Sequence, residues 1–342
     1  MKFRKKYIGG LLLRFGISGK PIKIQPLLEA VGKPEARYVL RAYIKDGRSY
    51  VVKLTCAKRF PHERIERQSR FSEQLRRNGI QTPRRYAAGG AYCVKCKKRG
   101  FDFSVTVEDY AGAELKLLDM PTARELGALL ARCHEISRRE NCLIGAPTIF
   151  DIAGRHEMSA YSEFRALGGT PGIDSALHSA VLEAYDARLE RALSGLAHCP
   201  RHAVQGDLAI NNLSRQNGQL CMFDYNCAGD DYLAADMISQ GLYISTKMEY
   251  AQSMEAAKPH DPGAMFGEFM QGYTGQRQLS EAELCAADDY YAVSAAMWAS
   301  EITEGENCLP LLLQRGDFEA ANRRLSDMLA GLGASDALFM GH

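Results

Sequence analysis

Two patterns of apolar and polar positions divide the chain. Up to about residue 110, short runs of β-branched and aromatic residues dominate. Tyr38-Val39-Leu40 leads through Arg41 to Tyr43-Ile44, Lys45-Asp46-Gly47-Arg48 turns, and Tyr50-Val51-Val52-Lys53-Leu54 returns. An Asp-Gly turn between two such runs predicts a β-hairpin. Pro61 to Asn78 reads as a helix, with Gly79 as its stop and Pro83 soon after. On that helix Gln68, Phe71 and Leu75 share one face by i, i+3, i+7 spacing. Glu66 with Arg70, and Glu73 with Arg77, form i,i+4 pairs expected at the surface. Ala91-Tyr92 and Phe101 to Val107 predict further strands, separated by a basic turn from Lys95 to Gly100. Beyond Gly112 helical spacing takes over, across Thr122 to Ser137, Ile173 to Leu193, Leu279 to Glu301 and Phe318 to Leu329. A small strand-rich part before a larger helical one is an α+β layout, divided here into residues 1–109 and 110–342. The cleft between two such lobes is a usual place for a ligand.

Composition changes this picture little. The chain has 342 residues, 46% hydrophobic and 25% charged, as in ordinary soluble domains. No apolar run approaches the ~20 residues of a membrane span, so no membrane partner is expected. The basic start (Lys2, Arg4, Lys5, Lys6) and apolar Tyr7 to Leu13 resemble a signal peptide. Arg14 interrupts that stretch and no small-residue cleavage site follows, so a cytoplasmic location is expected. Ten cysteines carry no framework. The one close pair, Cys93 and Cys96, lacks a second pair or histidines to complete a zinc site, which predicts reduced thiols.

Charge changes it more. The net charge of +2 hides a division, because residues 1–105 hold 26 Lys+Arg against 7 Asp+Glu, a balance of +19, and the remainder a balance of −17. A basic front suits nucleotide phosphates and an acidic back suits a cationic acceptor, although the two halves could also simply attract each other. Nucleic acid is not the expected partner.

The sharpest chemistry lies further on. Asp207 is followed five residues later by Asn212, then by Asp224 at the end of the apolar run Leu220-Cys221-Met222-Phe223. Asn217-Gly218 between the two segments signals a hairpin that would bring Asn212 and Asp224 to neighbouring strand ends, close to Asp207. Two carboxylates and an amide oxygen at one spot make a poor core but a good site for Mg²⁺, which wants a few oxygen ligands.

These residues resemble the catalytic segment of the aminoglycoside phosphotransferase and choline kinase family, in the protein-kinase-like superfamily. The resemblance runs from about Ile22 to at least Ile244. It implies a bilobal fold, with a small β-rich N-lobe and a larger, mainly helical C-lobe, and the cofactors ATP and Mg²⁺. It gives Asp207 the role of catalytic base, Asn212 and Asp224 that of metal ligands, and Lys53 that of the strand lysine on the α- and β-phosphates. Gln68 stands where the family has a glutamate that orients this lysine, and Gln205 where it has the histidine of His-Gly-Asp. Gly32, with Lys33, falls at the phosphate-covering loop, which here has a single glycine. The backbone carbonyl of Glu108 and the amide of Tyr110 match the hinge groups that bind adenine, and Asp236 matches an aspartate that braces the catalytic region. Asn226, Asp230, Trp298 and Glu301 are candidates for the acceptor site. The expected reaction is transfer of the ATP γ-phosphoryl group to a hydroxyl of a cationic small molecule, such as an aminoglycoside or choline. Homoserine or an amino alcohol is the alternative acceptor. A nucleotide-binding pseudokinase scaffold is the alternative class, suggested by Gln68, Gln205 and the glycine-poor loop.

Overall fold

The structure, a computed structural model, describes residues 3–32, 34–148, 151, 160–247, 261–298, 302–303 and 305–334. Its first part is an antiparallel sheet of β1 (Pro21–Gly32), β2 (Glu35–Ile44), β3 (Ser49–Cys56), β4 (Val94–Lys98) and β5 (Phe101–Asp109), in the order β1-β2-β3-β5-β4. The Asp46-Gly47 turn joins β2 to β3 as the sequence predicts, with Gly47 at φ +89. It fixes a register in which Tyr43 faces Ser49, Val39 faces Lys53 and Arg37 faces Thr55.

Side chains alternate across a sheet, so this register decides which residues are buried. Tyr38, Leu40, Val52, Leu54, Val105 and Val107 form one face, covered by Ile8, Leu11 and Leu12 of α1 (Lys5–Arg14). Arg37, Lys53, Thr106 and Glu108 lie on the other face, which looks into the cleft. The apolar stretch Tyr7 to Leu13 is thus a core-covering helix. Long β1 was not predicted; its outer residues are largely exposed, which blurs the alternation a strand should show.

Helix α2 (His62–Arg77) carries the predicted face, but that face packs away from the sheet. Phe71 and Leu75 belong to the core of the second part, and Phe71 meets the Tyr225 ring edge-on at 6.0 Å. Arg70 and Glu66 form their surface pair at 2.7 Å. Glu73 makes its expected pair with Arg77, at 3.5 Å, but is buried rather than at the surface; Arg76 also holds it at 2.7 Å, and it accepts the Arg85 N–H at 3.4 Å.

The second part is mainly helical. Its first core gathers α3 (Met120–Arg139), β6 (His202–Val204), β7 (Leu213–Gln216), β8 (Gln219–Met222), α6 (Leu233–Leu242) and α7 (Pro262–Thr274), and β9 (Gly229–Asp231) pairs with β6 beside it. Helices α3 and α7 cross with touching backbones. A Cβ on Gly127 would lie 1.9 Å from Phe269 O, and one on Gly272 1.9 Å from Arg124 O. The second core joins α4 (Tyr161–Ala166), α5 (Ser175–Leu196), α8 (Glu281–Ala296), α9 (Leu309–Gln314) and α10 (Phe318–Gly333). Among the described residues no helix is long and apolar enough to cross a membrane.

Three arginines of the basic front half bridge the seam between the two parts. Arg64 donates to Pro147 O at 3.0 Å, Arg67 to Ile144 O at 3.0 Å, and Arg37 to Asp224 at 3.0 Å. The cysteine pair does not converge. Cys93 Sγ lies 3.3 Å from His62 Nδ1, whereas Cys96 Sγ lies 3.2 Å from the Tyr7 hydroxyl. All ten cysteines are free thiols.

Candidate active site

The cleft is built where the β6–β9 ribbon and the β7–β8 hairpin meet the open face of the sheet. The hairpin turns at Asn217 and Gly218, with φ +51 and +82, the left-handed pair that an Asn-Gly two-residue turn requires. It pairs Leu213 with Met222, which sets Asn212 beside Phe223, and the Phe223 N–H donates to Asn212 O at 2.9 Å. The preceding loop holds Asp207. Gly206 takes φ +73, and a Cβ there would press on Cys227 O at 3.0 Å, so only glycine lets the two segments cross so closely.

Three predicted residues do come together. Asn212 Nδ2 donates to Asp207 Oδ2 at 2.8 Å and to its carbonyl at 3.1 Å. That spends the amide nitrogen on Asp207 and leaves Asn212 Oδ1 as the atom free to ligate a cation. Asp224 adopts φ +56, a left-handed backbone that Asp tolerates better than most residues. Gln205 stitches both carboxylate segments together: its Oε1 accepts the Asp207 N–H at 2.7 Å and its Nε2 donates to Asp224 O at 3.1 Å.

The carboxylates sit in opposite fields. Burial, and then the neighbouring Asp224 charge, push Asp207 up to about 6. Burial also works against the ionised form of Asp224, but Lys53 and then Arg37 outweigh it and hold this carboxyl below its ordinary range. Lys53 Nζ is 3.4 Å from Asp224 Oδ1 and Arg37 Nη2 is 3.0 Å from Oδ2; Asn226 Nδ2 also donates to Oδ1. Among the described residues no group of three or more His, Cys, Asp or Glu side chains is arranged to hold a metal. The donor set is instead one carboxylate and one amide oxygen, which fits Mg²⁺ bound mainly through phosphates and water.

Several expectations need correction. Gln68 does not orient Lys53. Its amide donates to Asn226 O at 2.8 Å and Ala228 O at 2.9 Å, pinning the backbone just after Asp224. The lysine is held by the Glu108 side chain at 2.9 Å, and the other Glu108 oxygen meets Arg85 at 2.9 Å. Glu108 was singled out for its backbone, yet Val107 O and Asp109 N–H are spent on Tyr86 and Arg84, so the Glu108 backbone groups point towards β3. The Tyr110 N–H donates to Ser49 O at 3.3 Å. Both hinge groups assigned to adenine therefore face partners within the sheet. Gly32 ends β1 opposite Glu35, with open space around it, so the β1–β2 connection is a tight hairpin tip and not a glycine-rich cradle.

The acceptor candidates scatter. Asn226 is at Asp224, but Asp230 accepts the Ile144 and Gly145 N–H groups at 2.7 and 2.6 Å and fastens a loop. Trp298 is buried and stacked on Tyr243, with ring centroids 6.0 Å apart, so it offers no open face of the kind expected. Glu301 and Lys33 lie outside the described residues. Asp236 sits where a brace should. It bonds His134 at 3.0 Å and Gln240 at 3.2 Å, and Gln240 accepts the Leu208 N–H at 2.9 Å. The sequence reading missed Arg37 and Arg85. The register set by the Asp46-Gly47 turn places Arg37 on the face of Lys53 and was open to reading; no local signal marked Arg85.

No protein-family model matches the chain, and no curated protein matches it by sequence. Solved structures do match in fold. A microcompartment-associated aminopropanol kinase aligns at TM-score 0.62 and 16% identity, over 96% of this chain and 94% of its own. An amicoumacin kinase, solved with AMP-PNP and Ca²⁺, aligns at TM-score 0.57 and 18% identity, over 95% and 94%. A spectinomycin phosphotransferase, solved with ADP and spectinomycin, aligns at TM-score 0.54 and 12% identity, over 97% and 99%. The strand-rich and helical parts of this chain together form the bilobal protein-kinase-like fold that these structures share.

Proposed function

We propose that the chain is a small-molecule kinase that transfers the γ-phosphoryl group of ATP to a hydroxyl of a cationic acceptor. The observation that carries this reading is the meeting of Asp207, Asn212 and Asp224 opposite Lys53, with the two carboxylates tuned apart. A pair of like groups driven in opposite directions supports separate roles for a base and an electrostatic anchor. Asp207, near 6 and oriented by Asn212 and Gln205, can accept a hydroxyl proton as the oxygen attacks. Asp224 stays ionised and, with Asn212 Oδ1, would hold Mg²⁺. When bound, that ion neutralises charge on the phosphate oxygens. Lys53, kept in place by Glu108, is directed at the phosphates.

The acidic balance of −17 over residues 106–342 supports a cationic acceptor. The fold neighbours named for aminopropanol and spectinomycin make amino alcohols and amino sugars the first compounds to try. The test is ATP consumption with Mg²⁺ across a panel of hydroxylated amines, including homoserine. Turnover on at least one acceptor, lost in Asp207→Asn, is the expected result. Nucleotide binding without turnover on any acceptor would establish the scaffold reading instead.

A further inference from the structure

We infer that Arg37 is a phosphate-binding residue which Asp224 holds in place, and that nucleotide–metal binding exchanges its partner from the carboxylate to the triphosphate. This rests on the kinase reading above and adds a residue and a coupling to it.

Position comes first. Arg37 lies two residues beyond the start of β2, near the β1–β2 turn. The register puts it on the face of Lys53, since Arg37 pairs with Thr55 and Val39 with Lys53. Its guanidinium spans the cleft to Asp224 at 3.0 Å, and both side chains are about one quarter exposed (24% and 25%). The pair is therefore reachable from solvent, unlike Lys53 and Glu108 at 9% and 4%.

Chemistry supplies the reason for exchange. Asp224 Oδ2 carries Arg37, and Oδ1 carries Lys53 and Asn226. A Mg²⁺ ligand oxygen must approach the ion to roughly 2.0–2.1 Å, which a guanidinium bonded to the same oxygen obstructs. Lys53 keeps Glu108 if it leaves Asp224. Arg37 would lose the carboxylate it is bonded to, and a triphosphate is the anion that can replace it. Its planar fork suits phosphate oxygens better than a lysine does. The hairpin tip adds to the need. The tip between Gly32 and Glu35 contains Pro34, which has no N–H, so its backbone offers few donors for phosphates.

Two effects of opposite sign follow. Metal alone must expel Arg37 with nothing to receive it; metal with nucleotide need not. Removing the guanidinium should thus tighten one equilibrium and weaken the other, a coupling between two ligands. The experiment measures Mn²⁺ binding to the free full chain by electron paramagnetic resonance, and binding of a fluorescent ATP analogue in Mg²⁺. Arg37→Ala should bind Mn²⁺ alone roughly threefold tighter or more, and the nucleotide roughly tenfold weaker, the scale of a lost charge-assisted bond. Arg37→Lys should recover part of the nucleotide affinity, and matching thermal melts would show that both variants are folded. Nucleotide affinity unchanged in Arg37→Ala, or Mn²⁺ binding weakened by it, overturns the exchange while leaving the kinase reading intact. Failure of the unmodified chain to bind the nucleotide would overturn both.

Discussion

The loop from Gln205 to Asn212 and the segment from Phe223 to Ala228 each present one aspartate to the same cleft, yet they treat it differently. Asp207 is surrounded by neutral groups from its own lobe: the Asn212 amide and the Cys227 thiol at 3.5 Å donate to its carboxylate, and Gln205 Oε1 accepts its backbone N–H. Asp224 is surrounded by cations reaching over from the sheet. The lesson is that local chain geometry places both carboxylates, whereas the opposite lobe decides which one stays charged. A closing cleft would therefore tune the site as well as shape it.

The largest effects should come from deleting each carboxylate in turn. Asp207→Asn is expected to lower kcat by roughly 10³-fold while nucleotide affinity stays close to that of the natural chain, because only the proton acceptor is lost. Asp224→Asn should abolish turnover and also remove the Mg²⁺ dependence of nucleotide binding, as read by titration with and without Mg²⁺. If the two substitutions gave the same pattern of losses, the contrast between the two regions would collapse.

Glu108 tests the lobe that supplies the cations. Glu108→Ala would leave Lys53 and Arg85 buried without their shared carboxylate, and removing one partner of a buried ion pair costs about 3–5 kcal/mol. Urea unfolding should show this loss. Gln205→Ala should be milder. It frees the Asp207 N–H and the Asp224 carbonyl together, so about 1–3 kcal/mol of stability and a lower kcat are expected, with KM for ATP nearly unchanged.

The smallest effect concerns pH and the brace beneath the loop. His134 is buried against Asp236 and the Tyr273 hydroxyl, with the charges of Arg277 and Glu283 nearby. Burial holds its pKa below the ordinary value, the Asp236 carboxylate notwithstanding. The unfolded chain then binds this proton more readily than the folded one. The stability is therefore complete above about pH 6.5 and declines as pH falls through that value, by at most roughly 1.4 kcal/mol per pH unit. Thermal melts between pH 5 and 8 would show it, and His134→Gln should flatten the dependence.

Sequence and structure divided the work along the range of the interactions. Asp46-Gly47 and Asn217-Gly218 are turns that a few adjacent residues specify through their backbone preferences, and each fixes a register. Those two registers put Arg37 on the face of Lys53, and Asn212 beside Phe223 and so next to Asp224 in the chain, before any long-range packing is considered. The exposed strand β1 was hidden because its alternation is weak. Helix α6 was hidden because it is buried on every side, which erases the polar face that marks a helix; α7 is half exposed, but its open side carries Pro262, Gly263, Ala264 and Gly267, which supply no polar signal. The amphipathic face of α2 was legible, but its destination was not. Spacing groups Gln68, Phe71 and Leu75 without saying what they touch, and the answer was the backbone after Asp224.

What the chain itself determined is the set of groups and their local placement: the loop, the two hairpins and the residues at their ends. Only the tertiary structure decided that Lys53 takes its anion from Glu108 on β5, that Arg37 reaches Asp224 across 187 positions of sequence, and that Trp298 turns inward onto Tyr243. The physical reason is that a turn depends on the conformations of a few neighbouring residues. A charge, by contrast, must be matched by whatever the folded chain brings within a few ångströms of it, and that is known only once distant strands have paired.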